Sequence, residues 1–319
     1  MTKKIAFEEA CSTPSTRKYL EITLQVASTQ QAKEGLAQQL EDPKQWLTAK
    51  DESGVDLFVM SQTSPGVQAE ADAATAVKNA QAANNWLHDQ INQYPDQLRG
   101  FAHLALQDVQ AACDELTRCV KELGFLGAMI NGNTNGHYLD DPSYMDFWQT
   151  ANDLKVPVYI HPANPFKQPY VLKDHPEMQG AVWGWTTDNS SHFLRLVFSG
   201  LFDKLPDLTV ILGHMGETLP YFLWRIDGRY EAGGNSCGLR QKPSYYFRNN
   251  LCITTTGVCQ DSALQCAVAE LGEDRVMFSV DYPYENAKES ADWIEGTTVL
   301  DQAQREKVCH QNAERVLKL

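Results

Sequence analysis

Four apolar runs of the sequence end in a side chain that can bind a divalent cation or move a proton. These side chains are Glu8, His161, His214 and Asp281. A position directly after an apolar run would bury them, and a buried carboxylate or imidazole without a partner is unfavourable. One cation would satisfy Glu8, His161 and Asp281 together. Two carboxylates and one imidazole make a mixed site that suits Zn²⁺, Mn²⁺ or a similar ion.

Each of these residues also has an ordinary structural interpretation. A glutamate near a strand end is commonly solvated or caps a turn, and a lone histidine after an apolar strand is commonly a hydrogen-bonded core residue. Asp281 precedes Tyr282 and Pro283, so it could cap a turn or a helix. Because chance does not often place three such groups at one end of a sheet, the joint pattern favours a metal site.

The apolar runs alternate with amphipathic segments. Most runs are continuously apolar, which is typical of parallel strands buried on both faces. Strands are predicted at residues 4–9, 56–62, 99–106, 127–131, 156–162, 208–214, 251–256 and 275–281. Helices are predicted at residues 66–94, 108–123, 142–154, 192–202, 219–230, 262–271 and 302–317. Eight such strands separated by helices predict a (β/α)8 TIM barrel of the α/β class.

No break in composition divides the chain, so residues 1–319 are expected to form a single barrel domain. Long loops at residues 131–141 and 166–185 follow the fourth and fifth strands, and a helix ends the chain. In a barrel the carboxyl ends of the strands meet at one mouth, where loops build the active site. The four polar strand ends are therefore expected at that mouth.

The composition argues against several partners. The chain has 27 Lys+Arg and 41 Asp+Glu, a formal net charge of −14. Nucleic acids and anionic membranes both require a basic face, so neither is an expected partner. We find no signal peptide and no apolar run near the roughly 18 residues that span a bilayer. The eight cysteines form no CxxC pair, so a cytoplasmic protein with reduced thiols is expected.

Four motifs follow one another along the chain. They are KIAFEEA at residues 4–10, YIHPANP at 159–165, ILGHMGETLPYFLWRID at 211–227 and FSVDYPYEN at 278–286. Together they resemble the decarboxylase branch of the amidohydrolase superfamily, which includes γ-resorcylate, 2,3-dihydroxybenzoate and salicylate decarboxylases. The similarity runs essentially from end to end. It implies a carboxy-lyase that acts on a small aromatic carboxylate and forms a homodimer or homotetramer.

The resemblance also implies roles for individual residues. Glu8, His161 and Asp281 would hold one divalent metal ion, Mn, Mg or Zn. His214 would lie beside the ion and move a proton or orient a water molecule. Glu217, three residues further on, would orient that imidazole by a hydrogen bond.

Two further residues are implied to bind the substrate. Arg225 would contact its anionic groups and so provide the local cation that an acidic protein needs. An ion pair with Asp227 is the structural alternative for this arginine. Asn131 ends the fourth strand and would also contact the substrate. Trp183 and Trp185 could stack on an aromatic ring, although core packing would explain them equally well.

One position departs from the superfamily pattern. Many members carry a histidine two residues after the first ligand, but this chain has Ala10 there. Several fungal-type hydroxybenzoate decarboxylases share the Glu-Glu-Ala sequence. Loss of a nitrogen ligand leaves an oxygen-rich site, which favours Mn or Mg over Zn. Glu9 is expected to point away from the mouth if the strand alternates regularly.

The implied reaction is the non-oxidative decarboxylation of an ortho-hydroxybenzoate. Direct loss of CO2 would leave an aryl anion, whereas protonating the carboxylate-bearing carbon first avoids it. Asp281 is the predicted proton donor, with His214 as the alternative. A second hypothesis is hydrolysis of a lactone or amide in the same barrel, with His214 as base. A third is a binding protein that has lost catalysis.

Overall fold

The computed structural model describes residues 1–24 and 29–319. These residues contain eight short strands. Their bounds are β1 (Ile5–Cys11), β2 (Leu57–Gln62), β3 (Leu98–Gly100), β4 (Ala128–Asn131), β5 (Val158–His161), β6 (Val210–Leu212), β7 (Leu251–Thr254) and β8 (Val276–Met277). All eight predicted strands are confirmed. Most are shorter than the apolar runs that predicted them, because the runs continue beyond the hydrogen-bonded ladders.

The strands pair in parallel and in chain order. One ladder joins β1, β2 and β3, and a second joins β4 through β8. A bridge between Ala102 and Ala128 connects the two ladders. At the seam between β8 and β1, backbone N–H groups of Phe7, Glu8 and Ala10 donate hydrogen bonds to residues that follow β8. This arrangement confirms the predicted (β/α)8 fold class.

The barrel interior is filled by side chains from every strand or its end. They are Ile5, Phe7, Val59, Phe101, Met129, Tyr159, Ile211, Cys252 and Met277. The opposite faces of the strands pack against the surrounding helices through residues such as Phe58, Ile130 and Leu212. Since both faces are buried, the strands read as continuous apolar runs.

A bulge in β1 changes the direction of its side chains. The register against β2 shifts between Ala6 and Glu9, where β1 has one extra residue. Such an extra residue resets the alternation of side chains along a strand. Phe7 packs in the barrel interior and its neighbour Glu8 also reaches it, where it meets Tyr159. The bulge therefore lies at Phe7 and Glu8. Glu8 and Glu9 still alternate, and Glu9, which pairs with Met60 on the outer face, points away from the interior in line with the prediction.

Helices surround the strands. Their bounds are α1 (Leu20–Thr23), α2 (Gln30–Glu41), α3 (Pro43–Ser53), α4 (Ala73–Gln93), α5 (Val109–Lys121), α6 (Met145–Leu154), α7 (Gly184–Phe198), α8 (Leu201–Lys204), α9 (His214–Glu217), α10 (Leu223–Ala232), α11 (Pro243–Asn250), α12 (Asp261–Leu271), α13 (Ala287–Gly296), α14 (Gln302–Glu306) and α15 (Asn312–Leu317). A π-helical segment, Lys307–Gln311, joins the last two.

Some helices were not predicted. Between β1 and β2 the structure has α2 and α3, which were not predicted. The sequence does signal the start of α3: the Asp42 side chain accepts from the Lys44 N–H, and Pro43 lies in the first turn. The helix predicted to begin at residue 192 is α7, which begins at Gly184. Its first turns are rich in Thr, Ser and Asn, which are weak helix formers, so composition concealed them.

The described helices include none that is long and apolar enough to cross a bilayer. All eight cysteines are free thiols, and five of them are buried. Burial raises the pKa of Cys11 to about 12. That thiol therefore stays protonated and packs as a small apolar side chain.

Candidate active site

Three side chains with metal-binding atoms converge at the mouth of the barrel. Glu8 lies in β1, His161 ends β5 and Asp281 follows β8. One ligand atom from each lies within 4.8 Å of the other two. Their exposed fractions are 1% for Glu8 and 9% for both His161 and Asp281. The structure thus brings together the three residues that the strand-end pattern singled out.

The atoms of this cluster are arranged to receive a cation. Glu8 Oε1 and Asp281 Oδ1 are buried and have no hydrogen-bond partner within the described chain. His161 Nδ1 donates to the Pro162 carbonyl at 2.8 Å, which leaves the lone pair of Nε2 free. That Nε2 lies 3.7 Å from Glu8 Oε1. Two unpartnered carboxylate oxygens and one imidazole nitrogen fit a divalent metal ion.

The other oxygen of Glu8 is already held. The Tyr159 hydroxyl and the Thr254 hydroxyl both donate to Glu8 Oε2. These contacts orient the carboxylate so that Oε1 faces the cluster, as outer partners of metal ligands commonly do. Burial raises the pKa of Glu8, while the neighbouring imidazoles of His214 and His161 oppose that shift. A cation would stabilise the ionised form of the same carboxylate.

His214 and Glu217 form a hydrogen-bonded pair beside the cluster. His214 Nδ1 lies 2.9 Å from Glu217 Oε1, which also accepts from the Asn189 amide at 3.0 Å. His214 Nε2 lies 3.6 Å from Asp281 Oδ2 and 3.9 Å from Glu8 Oε1. Burial disfavours the charged imidazolium, but the carboxylates of Glu217, Glu8 and Asp281 outweigh it and hold the pKa of His214 well above its ordinary value.

This pair lies in the segment labelled α9, whose backbone is a left-handed turn rather than a right-handed helix. The five residues 214–218 all have positive φ, from 49° at His214 to 75° at Gly216. Each non-glycine residue in this conformation is unfavourable by about 1–2 kcal/mol. Met215 and Glu217 are buried in the turn, so packing holds it in place. Backbone strain of this kind clusters at functional sites, and here it aims His214 at the metal cluster.

A cavity of about 660 Å³ opens onto the cluster. His161, His214 and Asp281 line it, and the rest of the lining mixes polar residues such as Gln68 and Glu285 with apolar ones. The apolar ones include Ile22, Pro65, Phe166, Trp185 and Val258. The size and the mixture of apolar and polar lining are typical of a site for a small organic ligand. Trp185 lines the cavity, whereas Trp183 is 47% exposed and is not among its described lining residues.

The two predicted substrate-binding residues differ in their placement. Asn131 lines the cavity; its amide donates to the Gln62 carbonyl at 3.0 Å, and its Oδ1 has no partner in the described structure. Arg225 is exposed on α10 and is not among the described residues that line the cavity. Asp227 accepts hydrogen bonds from Ser244 instead of forming the alternative ion pair. The contact of Arg225 with substrate stays a prediction.

Sequence reasoning missed the residues that support the cluster. Tyr159 lies two positions before His161, so both side chains point to the same side of β5. A search for polar groups at that spacing would have found it. Thr254 and Asn189 carry no such signal, because only the tertiary structure brings them to Glu8 and Glu217.

Comparison with known proteins identifies the family. A family model described as amidohydrolase matches residues 38–319. The γ-resorcylate decarboxylase of Polaromonas sp. is 41% identical over 284 residues, which cover 84% of this chain and 85% of the relative. Among solved structures, a 2,6-dihydroxybenzoate decarboxylase complexed with 2,6-dihydroxybenzoate has a TM-score of 0.93 at 37% identity and covers 100% of both chains.

A second solved structure carries a metal. It is a dihydroxybenzoic acid decarboxylase from Polaromonas sp. JS666 with bound manganese and the inhibitor 2-nitroresorcinol. It has a TM-score of 0.93 at 38% identity and covers 100% of this chain and 98% of its own. The family model, the sequence relatives and the solved structures all agree with the resemblance to the decarboxylase branch that the four motifs indicated. This chain belongs to the amidohydrolase family, in its decarboxylase branch.

Proposed function

We propose that this chain is a carboxy-lyase that catalyses the metal-dependent, non-oxidative decarboxylation of an ortho-hydroxybenzoate. The observation that carries the proposal is the pair of unpartnered oxygens, Glu8 Oε1 and Asp281 Oδ1, beside the free Nε2 of His161. His161 and Asp281 line a cavity of about 660 Å³, which is large enough for one substituted benzoate. Related decarboxylases that bind manganese and dihydroxybenzoate support the reaction class.

Glu8, His161 and Asp281 would hold one divalent cation. When bound, the cation supplies positive charge that attracts the carboxylate and the ortho oxygen of the acid and stabilises negative charge on them. Tyr159 and Thr254 keep Glu8 in the orientation that the ion requires. The preference for Mn or Mg over Zn, which the alanine at position 10 suggests, stays a prediction.

Asp281 is the proposed proton donor. Its carboxyl group would deliver a proton to the ring carbon that carries the carboxylate, forming a C–H bond. The C–C bond to the carboxylate then breaks, its electron pair returns to the ring, and CO2 leaves. His214 lies 3.6 Å from Asp281 Oδ2 and is the alternative donor. Glu217 would act through His214 by fixing the direction of its ring.

Other residues would bind and orient the ring. The unpartnered Oδ1 of Asn131 can accept a hydrogen bond from a ring hydroxyl, and Trp185 offers an aromatic face. Arg225 is exposed on α10 beside Trp224, which is 86% exposed. Because it is not among the described residues that line the cavity of its own chain, Arg225 would contact an anionic substrate group only in the cavity of a neighbouring subunit. A homodimer or homotetramer would bring such a subunit beside it.

The exposed aromatic side chains support an oligomer. Tyr221, Phe222, Trp224 and Tyr245 are all at least 45% exposed. The first three lie within residues 221–224, and exposed aromatic residues grouped in this way are typical of protein interfaces. The homo-oligomer, the single barrel domain at residues 1–319 and the cytoplasmic location are parts of the same proposal. Sedimentation of the purified protein would measure the first of these.

The test is a screen for CO2 release. The purified chain, loaded with Mn²⁺, is incubated with 2,6-dihydroxybenzoate, 2,3-dihydroxybenzoate, salicylate and 4-hydroxybenzoate. We expect CO2 from at least one acid with an ortho hydroxyl and none from 4-hydroxybenzoate, because the ortho oxygen binds the cation. An aryl lactone is included as a fifth compound, and its ring opening, without CO2 from any of the acids, would instead support the hydrolase. Binding of these acids without any turnover would overturn both enzymatic hypotheses.

A further inference from the structure

Among the described residues, the seam between β1 and the segment after β8 has no strand ladder; one backbone hydrogen bond, from the Ala10 N–H to the Tyr282 carbonyl, and two buried side chains join it. Within residues 1–24 and 29–319, no ladder links β8 to β1. The Ser279 hydroxyl accepts from the N–H groups of Phe7 at 2.9 Å and Glu8 at 2.8 Å. It lies 3.0 Å from Glu9 Oε1. The hydroxyl of Ser279 therefore occupies the place of a backbone acceptor on the neighbouring strand.

The hydrogen bond between Ser279 and Glu9 has only one possible direction. A serine hydroxyl has one hydrogen and two lone pairs, and both lone pairs of Ser279 face N–H donors. Its hydrogen must therefore point to Glu9 Oε1. That oxygen also accepts from the Val280 N–H at 3.2 Å, and Oε2 accepts from the Tyr282 N–H at 2.9 Å. Three donors therefore point at the two oxygens of this one side chain, and both oxygens act as acceptors.

Glu9 is buried, and no cationic side chain of the described residues pairs with it. Its exposed fraction is 0%, and that of Ser279 is 1%. The salt bridges found in the described chain include none to Glu9. Burying a carboxyl group is unfavourable unless its polar atoms find partners, and here those partners are the seam itself. The position of Glu9 in the chain indicates what the carboxylate does.

Glu9 lies between two of the proposed metal ligands. It follows Glu8 directly, and it binds the N–H groups of Val280 and Tyr282, the two neighbours of Asp281. Asp281 has a φ of 89°, a backbone conformation that is rare for a residue with a side chain. Glu9 therefore holds the backbone on both sides of this conformation. Ser279 at the same time holds the N–H of Glu8.

We propose that Glu9 and Ser279 are a pair of positioning residues that set the separation of the Glu8 and Asp281 carboxylates, and thereby the affinity of the site for its cation. Neither residue touches the cation or the substrate. The inference rests on the metal site of the proposed function. Ligand geometry must hold to within about 0.5 Å for a metal site to function, and loss of an outer partner typically weakens metal binding by about 10–100-fold.

The experiment is a double-mutant cycle on Mn²⁺ affinity. The metal-free protein and its Glu9→Gln, Ser279→Ala and doubly substituted variants are titrated with Mn²⁺, and the free ion is followed by electron paramagnetic resonance. In Glu9→Gln, the side-chain NH2 is itself a donor and would face the N–H or O–H donors that Glu9 now accepts from. We therefore expect the Kd for Mn²⁺ to rise by about 10–100-fold. Ser279→Ala should weaken binding as well. The double variant should bind little worse than either single variant, because the pair acts as one unit.

Glu115→Gln is the matched control. Glu115 is a buried glutamate on α5 that accepts from Asn84 and Arg118, and it lies outside the cavity lining. Its substitution should leave the Kd for Mn²⁺ unchanged even if it lowers stability. A wild-type Kd in Glu9→Gln and Ser279→Ala, or strictly additive effects in the cycle, would overturn the proposal. Ser279→Ala keeps the test valid if Glu9→Gln does not fold.

Turnover of the same preparations separates this inference from the proposed function. If the wild-type chain binds Mn²⁺ and the cycle shows coupling, the positioning role stands even when none of the hydroxybenzoates releases CO2. If CO2 is released but both variants bind Mn²⁺ normally, the proposed function stands and the positioning role is wrong. The two failures are therefore distinguishable.

Discussion

At the scale of single residues, the two oxygens of Glu8 have different environments. Oε2 accepts from Tyr159 and Thr254, whereas Oε1 has no partner in the described chain. The carboxylate is thus oriented before any ion arrives, which reduces the ordering that binding requires. Asp281 similarly leaves Oδ1 unpartnered while Oδ2 faces His214. One carboxylate is oriented for the cation alone, and the other for the cation and for proton transfer.

Replacing Asp281 tests its proposed role as proton donor. Asp281→Asn keeps the size of the side chain but cannot donate a carboxyl proton, so we expect kcat to fall by at least about 10²–10⁴-fold. Circular dichroism should show an intact fold. Asp114→Asn, on the exposed face of α5, is the control and should keep full activity. Near-normal turnover in Asp281→Asn combined with loss of activity in His214→Gln would assign the proton to His214 instead.

At the scale of elements, local irregularities aim the side chains. The bulge in β1 lets Glu8 reach the barrel interior, and the left-handed turn at residues 214–218 brings His214 against Glu217. In a regular strand, Glu8 would point away from the interior that Phe7 faces. Gly216 is required within that turn: its φ is 75°, and a Cβ there would lie 2.9 Å from Ile253. The site therefore depends on departures from regular secondary structure.

Gly216→Ala should destabilise the fold. Adding a methyl group in this conformation combines backbone strain with a close contact, which together amount to about 2–4 kcal/mol of unfolding free energy. Gly35→Ala is the control: it lies within α2 with no atom within 4 Å of the added Cβ, and it should stabilise the protein by about 0.5–1 kcal/mol. Urea unfolding measures both, and a Gly216→Ala variant as stable as the wild type would contradict the assigned strain.

His192 links α7 to the loop after β4 and makes stability depend on pH. Its Nε2 accepts from the Leu139 N–H at 2.9 Å. Burial, together with the nearby charge of Arg195, lowers the pKa of His192 to about 3. The unfolded chain binds a proton below about pH 6.5, but the folded chain does not do so until about pH 3. His192 therefore makes its full contribution to the free energy of unfolding above about pH 6.5. That contribution is lost as the pH falls from about 6.5 towards 3.

His192→Gln keeps an acceptor for Leu139 but does not titrate. Between pH 6 and pH 4 we expect the unfolding free energy of the wild type to fall, relative to this variant, by about 1.4 kcal/mol per pH unit. Chemical denaturation at several pH values measures the difference, and comparison with the variant cancels the titration of other groups. Parallel pH profiles for the two proteins would show that His192 is protonated in the folded state.

At the scale of the whole molecule, the candidate metal site ties together distant parts of the chain. Its three ligands come from β1, β5 and the segment after β8, which lie near the start, the middle and the end of the sequence. A cation held by all three binds only the folded chain. Metal binding is therefore linked to the stability of the entire barrel.

Removing the metal should lower the melting temperature. Mn²⁺ at 100 times its Kd contributes about 2.7 kcal/mol to the free energy of unfolding, and chelation by EDTA removes that contribution. Differential scanning calorimetry with Mn²⁺ and with EDTA measures the shift. Glu8→Gln, which loses one ligand charge, should show little difference between the two conditions. A wild-type melting temperature that is indifferent to Mn²⁺ would contradict a site formed by these three residues.

The sequence predicted the strands better than the helices. A strand buried on both faces is a dense apolar run, so all eight could be found. The helices α2 and α3 are largely polar and follow β1 without such a run, so they were missed. Of the candidate site residues, those at strand ends were found because the carboxyl ends of parallel strands must meet. Arg225 lies on an exposed helix, where no such rule applies.

Residue types and their order along the chain thus determined the barrel and the end of it where polar groups gather. Both follow from periodicity and from the shared direction of parallel strands. Tertiary structure alone decided which atoms of those groups stay free. Glu8 points into the barrel interior because of a bulge, and Tyr159 donates a hydrogen bond to one of its oxygens. Glu9 binds the backbone N–H groups on both sides of Asp281. Contacts between residues hundreds of positions apart depend on packing, which no local pattern encodes.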